Sequence, residues 1–182
     1  MTAPILRDAR PEDAAGILAI YGPRVLDGTA SYEEAPPGLE EMGRRMADVA
    51  ARGLPWLVAE LPDAPGRVAG YAYAGPFRSR SAYRYTVENS VYVADWAQGR
   101  GLGRTLLGAL IDRCTVLGYR RMIAVIGEKA NAGSVALHAA LGFVEAGVLP
   151  GCGYKHGRWL DLYLMQRPLG DGADSPPPAA AP

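Results

Sequence analysis

The stretch Val87–Leu110, VENSVYVADWAQGRGLGRTLLGAL, decides the fold. Apolar and polar residues alternate over Val87–Ala94, which is the period of a strand. Further on, Leu102, Leu106, Leu107, Leu110, Cys114 and Leu117 recur at the spacing of one helix face. Between strand and helix lies Gln98–Arg104, QGRGLGR, with glycines at positions 99, 101 and 103. Glycines let backbone N–H groups approach an anion closely, and a helix start favours negative charge. The segment therefore predicts a phosphate or pyrophosphate site. It is not a Walker loop, since no Gly-Lys-Ser/Thr follows. Nor is it the dinucleotide pattern G-x-G-x-x-G, because Arg104 stands at the third glycine. The plain alternative is a tight turn that uses glycines for geometry alone. The joint occurrence of strand, glycine spacing and amphipathic helix speaks against it.

Upstream, Ile5–Ala9 reads as a strand, and Pro11 and Glu12 open a helix with Ala14, Ile17, Leu18 and Tyr21 on one face. A loop at Asp27–Pro37 leads to a second helix carrying Leu39, Met42, Met46 and Val49. Trp56–Glu60 and Arg67–Tyr73 read as adjacent strands joined by a turn with Pro62, Pro65 and Gly66. Downstream come an apolar strand Met122–Ile126, a helix Asn131–Leu141, and strands near Phe143–Leu149 and Leu160–Gln166. An antiparallel meander followed by strand–helix–strand units predicts an α/β fold with a mixed sheet. Residues 170–182, GDGADSPPPAAAP, have almost nothing to bury and predict a disordered tail, which leaves 1–169 as one domain.

Size and composition agree with that reading. A chain of 182 residues with 49% hydrophobic and 21% charged residues can bury a core without metals or disulfides. Nineteen basic residues balance nineteen acidic ones, so no positive field argues for nucleic acid. Apolar runs are too short to span a bilayer, and MTAPILRDARPED carries no signal-peptide apolar region. Cys114 and Cys152 make no disulfide framework and no metal-ligand spacing, so we expect a cytoplasmic, metal-free protein. Cys114, on the apolar helix face, reads as a core residue.

The motif Gln98-x-x-Gly101-x-Gly103, after the strand Ser90–Val93 and before a long helix, resembles the pyrophosphate-binding motif of GNAT acetyltransferases. Asn131-Ala-Gly-Ser134 opening a helix and Leu141-Gly-Phe143 closing it resemble a second feature of that family. The resemblance covers residues 4 to 168. It implies a GNAT fold, with a mostly antiparallel sheet splayed at the coenzyme site and helices on its faces. It also implies acetyl-CoA as co-substrate, and a homodimer. The coenzyme would contact Val91, Tyr92 and Val93, the turn Gln98, Gly99, Arg100, Gly101, Leu102, Gly103 and Arg104, and Asn131 and Ser134 on the later helix. Within the family, Tyr73–Val93 together with Gly153–Trp159 is similar to the phosphinothricin N-acetyltransferases. Their relatives acetylate methionine sulfoximine, methionine sulfone and arsinothricin.

That narrower resemblance implies a small glutamate-like acceptor, acetylated on its α-amino group as detoxification or resistance. An ammonium group must lose a proton before it attacks a thioester, and Glu88 matches the subfamily's base. A half-buried carboxylate can have its pKa raised toward the working range. His138 stands where many GNAT enzymes carry a tyrosine that protonates the leaving thiolate. It is either a proton relay or a satisfied core histidine. Arg78, Ser79 and Arg80 align with the substrate-binding segment, and an arginine fork suits oxyanions. Tyr32, Tyr83, Tyr85 and Trp159 are candidate pocket walls. Lys155 and His156 lie in a Gly-rich loop resembling one that lines the site across a dimer interface. The backbone N–H near Val93, freed by a bulge, would hold the oxyanion. Two other readings stay open: acetylation of a protein N-terminus, and a non-catalytic acetyl-CoA sensor.

Overall fold

The computed structural model describes residues 3–127 and 131–177. Its elements are β1 (Ile5–Asp8), α1 (Ala14–Leu26), α2 (Leu39–Ala51), β2 (Trp56–Leu61), β3 (Ala64–Pro76), β4 (Thr86–Val93), α3 (Leu102–Val116), β5 (Arg121–Ile126), α4 (Ala132–Ala140), β6 (Val144–Lys155) and β7 (Arg158–Pro168). The strands form one seven-stranded sheet in the order β1-β2-β3-β4-β5-β7-β6. Every neighbouring pair is antiparallel except β4–β5, which α3 joins as a crossover.

Strand alternation sorts the two faces. On β4, Tyr92 packs edge-on against Tyr21 of α1, whereas Asn89 bonds His138 of α4. Glu88, Ser90 and Tyr92 therefore share the α1 face, and Val87, Asn89, Val91 and Val93 the face under α3 and α4. The core beneath α3 holds Leu102, Leu106, Leu107, Leu110 and Cys114, each at most 1% exposed. Leu117, expected on that stripe, is 41% exposed, because α3 ends at Val116 and Leu117 is only its cap. Ile111, one turn beyond Leu107, is buried in its stead.

The β4–β5 ladder runs only from Thr86↔Arg121 to Asn89↔Ala124. Past that point β4 continues against β3 to Gly70↔Val93, and β5 against β7 to Ile126↔Tyr163. The two central strands thus part in mid-sheet.

Two segments take a more definite form than their sequences suggest. The Gly-rich loop expected around 153–159 is the tip of a β6–β7 hairpin that pairs through Lys155↔Arg158. His156 and Gly157 turn it with φ of 51° and 73°, positive at both positions as a type I′ turn requires. The disordered tail expected from Gly170 begins with a fastened segment: Arg120 donates to Ser175 Oγ at 2.8 Å and Pro176 O at 3.0 Å, and pairs with Asp171. Buried Leu169 holds the chain at that point. Residues 178–182 lie outside the described residues.

Candidate active site

Where β4 and β5 part, a cavity of about 470 Å³ opens between them and runs toward α3 and α4. The Ala94 N–H donates to Ala69 O on β3 at 2.9 Å. Alternation then turns the amides of Val91 and Val93 the other way, into the gap left by β5. The register of β3 on β4 is unbroken, so the divergence of β5, and not a bulge, frees the Val93 N–H. A free strand edge of this kind offers its N–H and C=O groups to an extended, amide-bearing ligand.

At the far end the edge meets the glycine turn. Gly99 and Gly101 have φ of 73° and 78°, and a Cβ would cost energy at either. Gly101 is the N-cap of α3, so the first amides of that helix point at the turn. At Gly103 the need is close packing: a Cβ there would lie 3.2 Å from Leu137 of α4. On α4, Asn131 caps the helix by accepting from the Ser134 N–H at 3.3 Å.

Most expected coenzyme residues line this cavity: the strand Val91–Val93, the turn residues Gln98, Gly99, Gly101, Leu102 and Gly103, and both Asn131 and Ser134. Arg100 and Arg104 do not. Arg100 is turned outward onto Asp63 at 3.1 Å, and Arg104 is exposed. His138 is among the lining residues and Glu88 is not. Sequence reasoning missed Arg24 and Asn89. Arg24, from the last turn of α1, reaches Val93 O at 3.3 Å and pairs with Asp95, which places a cation at the cavity wall. Nothing local in its sequence marks it; the contact is created by α1 crossing the end of β4. Asn89 directly follows Glu88, and only its face assignment separates the two.

Glu88 lies one same-face step before Ser90, which does line the cavity. Across β3 it faces Gly75, around whose position there is open space. Burial raises its carboxyl pKa, and Arg78 nearby partly offsets the rise. The Tyr73 hydroxyl hydrogen-bonds the Ser90 side chain on the same face. Arg78, Ser79 and Arg80 are exposed on the loop after β3. Of the three, Arg78 is brought to Glu88; its guanidinium stacks on the Phe77 ring at 4.4 Å. Arg80 caps the short turn Ser81–Tyr83 through its carbonyl.

The candidate walls divide. Tyr32 is an anchor, its single hydroxyl hydrogen shared between Gly127 O and Asp161 O, the latter at 2.6 Å. Tyr83 is 42% exposed against Phe77, buried Tyr85 lies beneath Arg84, and Trp159 is 67% exposed beside Tyr154. Lys155 is buried within its own chain, donating to Val25 O, Gly28 O and Ser31 O at 2.7–2.9 Å. His156, at the exposed hairpin tip, lies 3.4 Å from Gly28 O. Cys114 is fully buried, and burial pushes its thiol up to about 12, which suits a core residue.

The cavity fits acetyl-CoA on structural grounds: an unpaired strand edge for the pantetheine amides, an amide-lined helix start for the pyrophosphate, and a buried Asn89 Oδ1 without a hydrogen-bond partner. Among the described residues no cluster suits a metal ion.

Comparison with known proteins agrees. The acetyltransferase (GNAT) domain model matches residues 6–164. A phosphinothricin N-acetyltransferase of Alcaligenes faecalis is 53% identical over 167 residues, 92% of this chain and 83% of that protein. An L-methionine sulfoximine/L-methionine sulfone acetyltransferase of Pseudomonas aeruginosa is 45% identical over 171 residues, covering 94% and 98%. The crystal structure of a phosphinothricin acetyltransferase from Sinorhizobium meliloti in complex with AcCoA superposes with a TM-score of 0.93 at 48% identity, covering 99% of this chain and 96% of that one. With strand edge, glycine turn and capped helix all in place around one cavity, the chain belongs to the GNAT family and is an acetyl-CoA-dependent N-acetyltransferase.

Proposed function

We propose that the protein acetylates the α-amino group of a small glutamate-like amino-acid analogue, with Glu88 as the base. The observation that carries this is the place of Glu88: half-buried, with a raised carboxyl pKa, one same-face step from Ser90 and so beside the coenzyme cavity without lining it. A base for the acceptor belongs there, since the proton comes from the incoming ammonium group. Acetyl-CoA, when bound, supplies the thioester carbonyl that the freed amine attacks, and free thiol leaves. Glu88 takes one ammonium proton, and the Val93 N–H donates to the developing oxyanion. Arg78 and Arg80 hold the acceptor's carboxylate and second anionic group, with Ser79 between them. No cysteine carries the acyl group: Cys114 is buried and Cys152 lies on the exposed part of β6.

The names of the relatives favour phosphinothricin, methionine sulfoximine or methionine sulfone as acceptors, with arsinothricin as a further analogue. Such a role is protective, in the cytoplasm. The chain forms a homodimer in this reading, because the outer strand β6 exposes Val144, Val148, Leu149 and Tyr154 along an unpaired edge. Light scattering that found a monomer at micromolar concentration would remove the dimer alone.

The testing experiment is free-thiol release from acetyl-CoA with phosphinothricin, methionine sulfoximine, methionine sulfone and glutamate in parallel. Rapid turnover on an analogue, with glutamate poor, is the expected result. Silence on all four, with N-terminal peptides accepted, would transfer the activity to protein termini. Tight coenzyme binding with no amine accepted would leave a sensor.

A further inference from the structure

His138 is 2% exposed on α4, its ring edge-on to Phe143 at 4.9 Å. Nδ1 lies 2.8 Å from the Ser134 carbonyl and 3.4 Å from the Ser134 hydroxyl, and Nε2 lies 2.9 Å from Asn89 Nδ2. A carbonyl can only accept, so Nδ1 carries the hydrogen. An amide nitrogen can only donate, so Nε2 accepts. Both ring nitrogens are thereby engaged in the neutral form. Among the described residues no carboxylate touches the ring, and burial, only partly offset by the Ser134 carbonyl, lowers its pKa.

The other side of this contact is less settled. Asn89 is the last β4 residue still paired with β5, and it is 5% exposed. Its Oδ1 is buried with no hydrogen-bond partner. Turning the amide over would set Oδ1 against the lone pair of His138 Nε2 and leave Nδ2 unpaired. His138 therefore fixes which end of the Asn89 amide is presented away from α4. Both residues line the cavity at the point where the strands part.

We infer that Asn89 contacts the coenzyme and that His138 is its positioning residue: His138 holds the Asn89 amide so that Oδ1 accepts a hydrogen bond from an N–H of the pantetheine arm. The inference rests on the acetyl-CoA assignment of the cavity. His138 acts through Asn89 and does not relay the proton of the thiol.

The chain has two histidines, and His156 lies exposed at the hairpin tip, so imidazole ¹⁵N spectra resolve His138 without a substitution. The expected spectrum at neutral pH is that of a neutral ring with the hydrogen on Nδ1. Calorimetric acetyl-CoA affinity would be measured beside it for wild type, Asn89→Ala, His138→Ala, the double variant and His138→Gln. Asn89→Ala should weaken binding roughly 10-fold, as loss of one buried hydrogen bond does. His138→Ala should weaken it similarly, and the double variant no further than either single one. The oxygen of glutamine can accept from Asn89 Nδ2, so His138→Gln should recover most of the affinity. A His138 ring that is protonated at neutral pH or carries its hydrogen on Nε2, unchanged affinity in Asn89→Ala, or additive losses would overturn the inference. If wild-type protein bound no acetyl-CoA, the coenzyme assignment would fail and take the inference with it.

Discussion

A carboxylate serves as a base near neutral pH only if its surroundings penalise its charge, and Glu88 meets that condition by burial, with Arg78 limiting the effect. Glu88→Gln should lower turnover about 10²–10⁴-fold while leaving coenzyme affinity unchanged. Stability should move the opposite way. A folded-state pKa above the unfolded value gives stabilisation that is complete below the unfolded pKa and lost as pH rises through the folded one. Once ionised, half-buried Glu88 is therefore a cost, and Glu88→Gln should raise the thermal midpoint at pH above the raised carboxyl pKa but not in acid. Calorimetric scans of both proteins across pH check the sign. For the wild type, the acid limb of kcat/KM should lie above the ordinary carboxylate range. The sequence singled out Glu88 because it sits in a contiguous motif. The Asn89–His138 contact was not legible there, since it joins residues 49 apart through two different elements. Arg100 and Arg104, read from the glycine motif, point away from the cavity in the free protein, Arg100 onto Asp63.

At the scale of elements, the loop between α1 and α2 is a strap held by three later strands. Lys155 of β6 gives its three N–H bonds to carbonyls of Val25, Gly28 and Ser31, which only the charged ammonium form can satisfy together. Tyr32 reaches the end of β5 at Gly127 and β7 at Asp161. Its ring lies so close to Gly153 that a Cβ there would come within 2.5 Å, and a Cβ on Gly127 would meet Thr29 O. Lys155→Met leaves those carbonyls unsatisfied in a buried place and should cost about 3 kcal/mol, read from denaturant midpoints. Gly153→Ala should leave the secondary structure intact but speed proteolytic cleavage within the strap and raise the acetyl-CoA KM, since Ala30 of the strap lines the coenzyme cavity. Unchanged cleavage and KM would show that the strap does not depend on this seat. The sequence pointed to these helices and strands by their periodicity. It did not show the strap, because its fasteners are single side chains drawn from distant strands, with no local pattern.

For the whole molecule, the order of the elements was legible, since strand and helix periods and the glycine turn are local signals. The parting of β4 from β5 came only through the family resemblance, because it depends on where a ladder stops. This parting leaves Val91 and Val93 amides without a strand partner, so they should exchange hydrogen quickly in the free protein and slowly with coenzyme bound. Coenzyme at about 100 times its dissociation constant should stabilise the fold by about 2.7 kcal/mol. A coenzyme that left both amides fast would be bound elsewhere. The strap has a mechanical corollary. The half-sheets β1–β4 and β5–β7 are joined along a short ladder at one end of the cavity, and at the other end the strap from α1 is pinned to the second half. The opening between them therefore behaves as a slot of fixed gauge. The reach of Lys155 and Tyr32 sets its width before any ligand arrives, and a bulkier acyl donor would have to stretch those two side chains to enter.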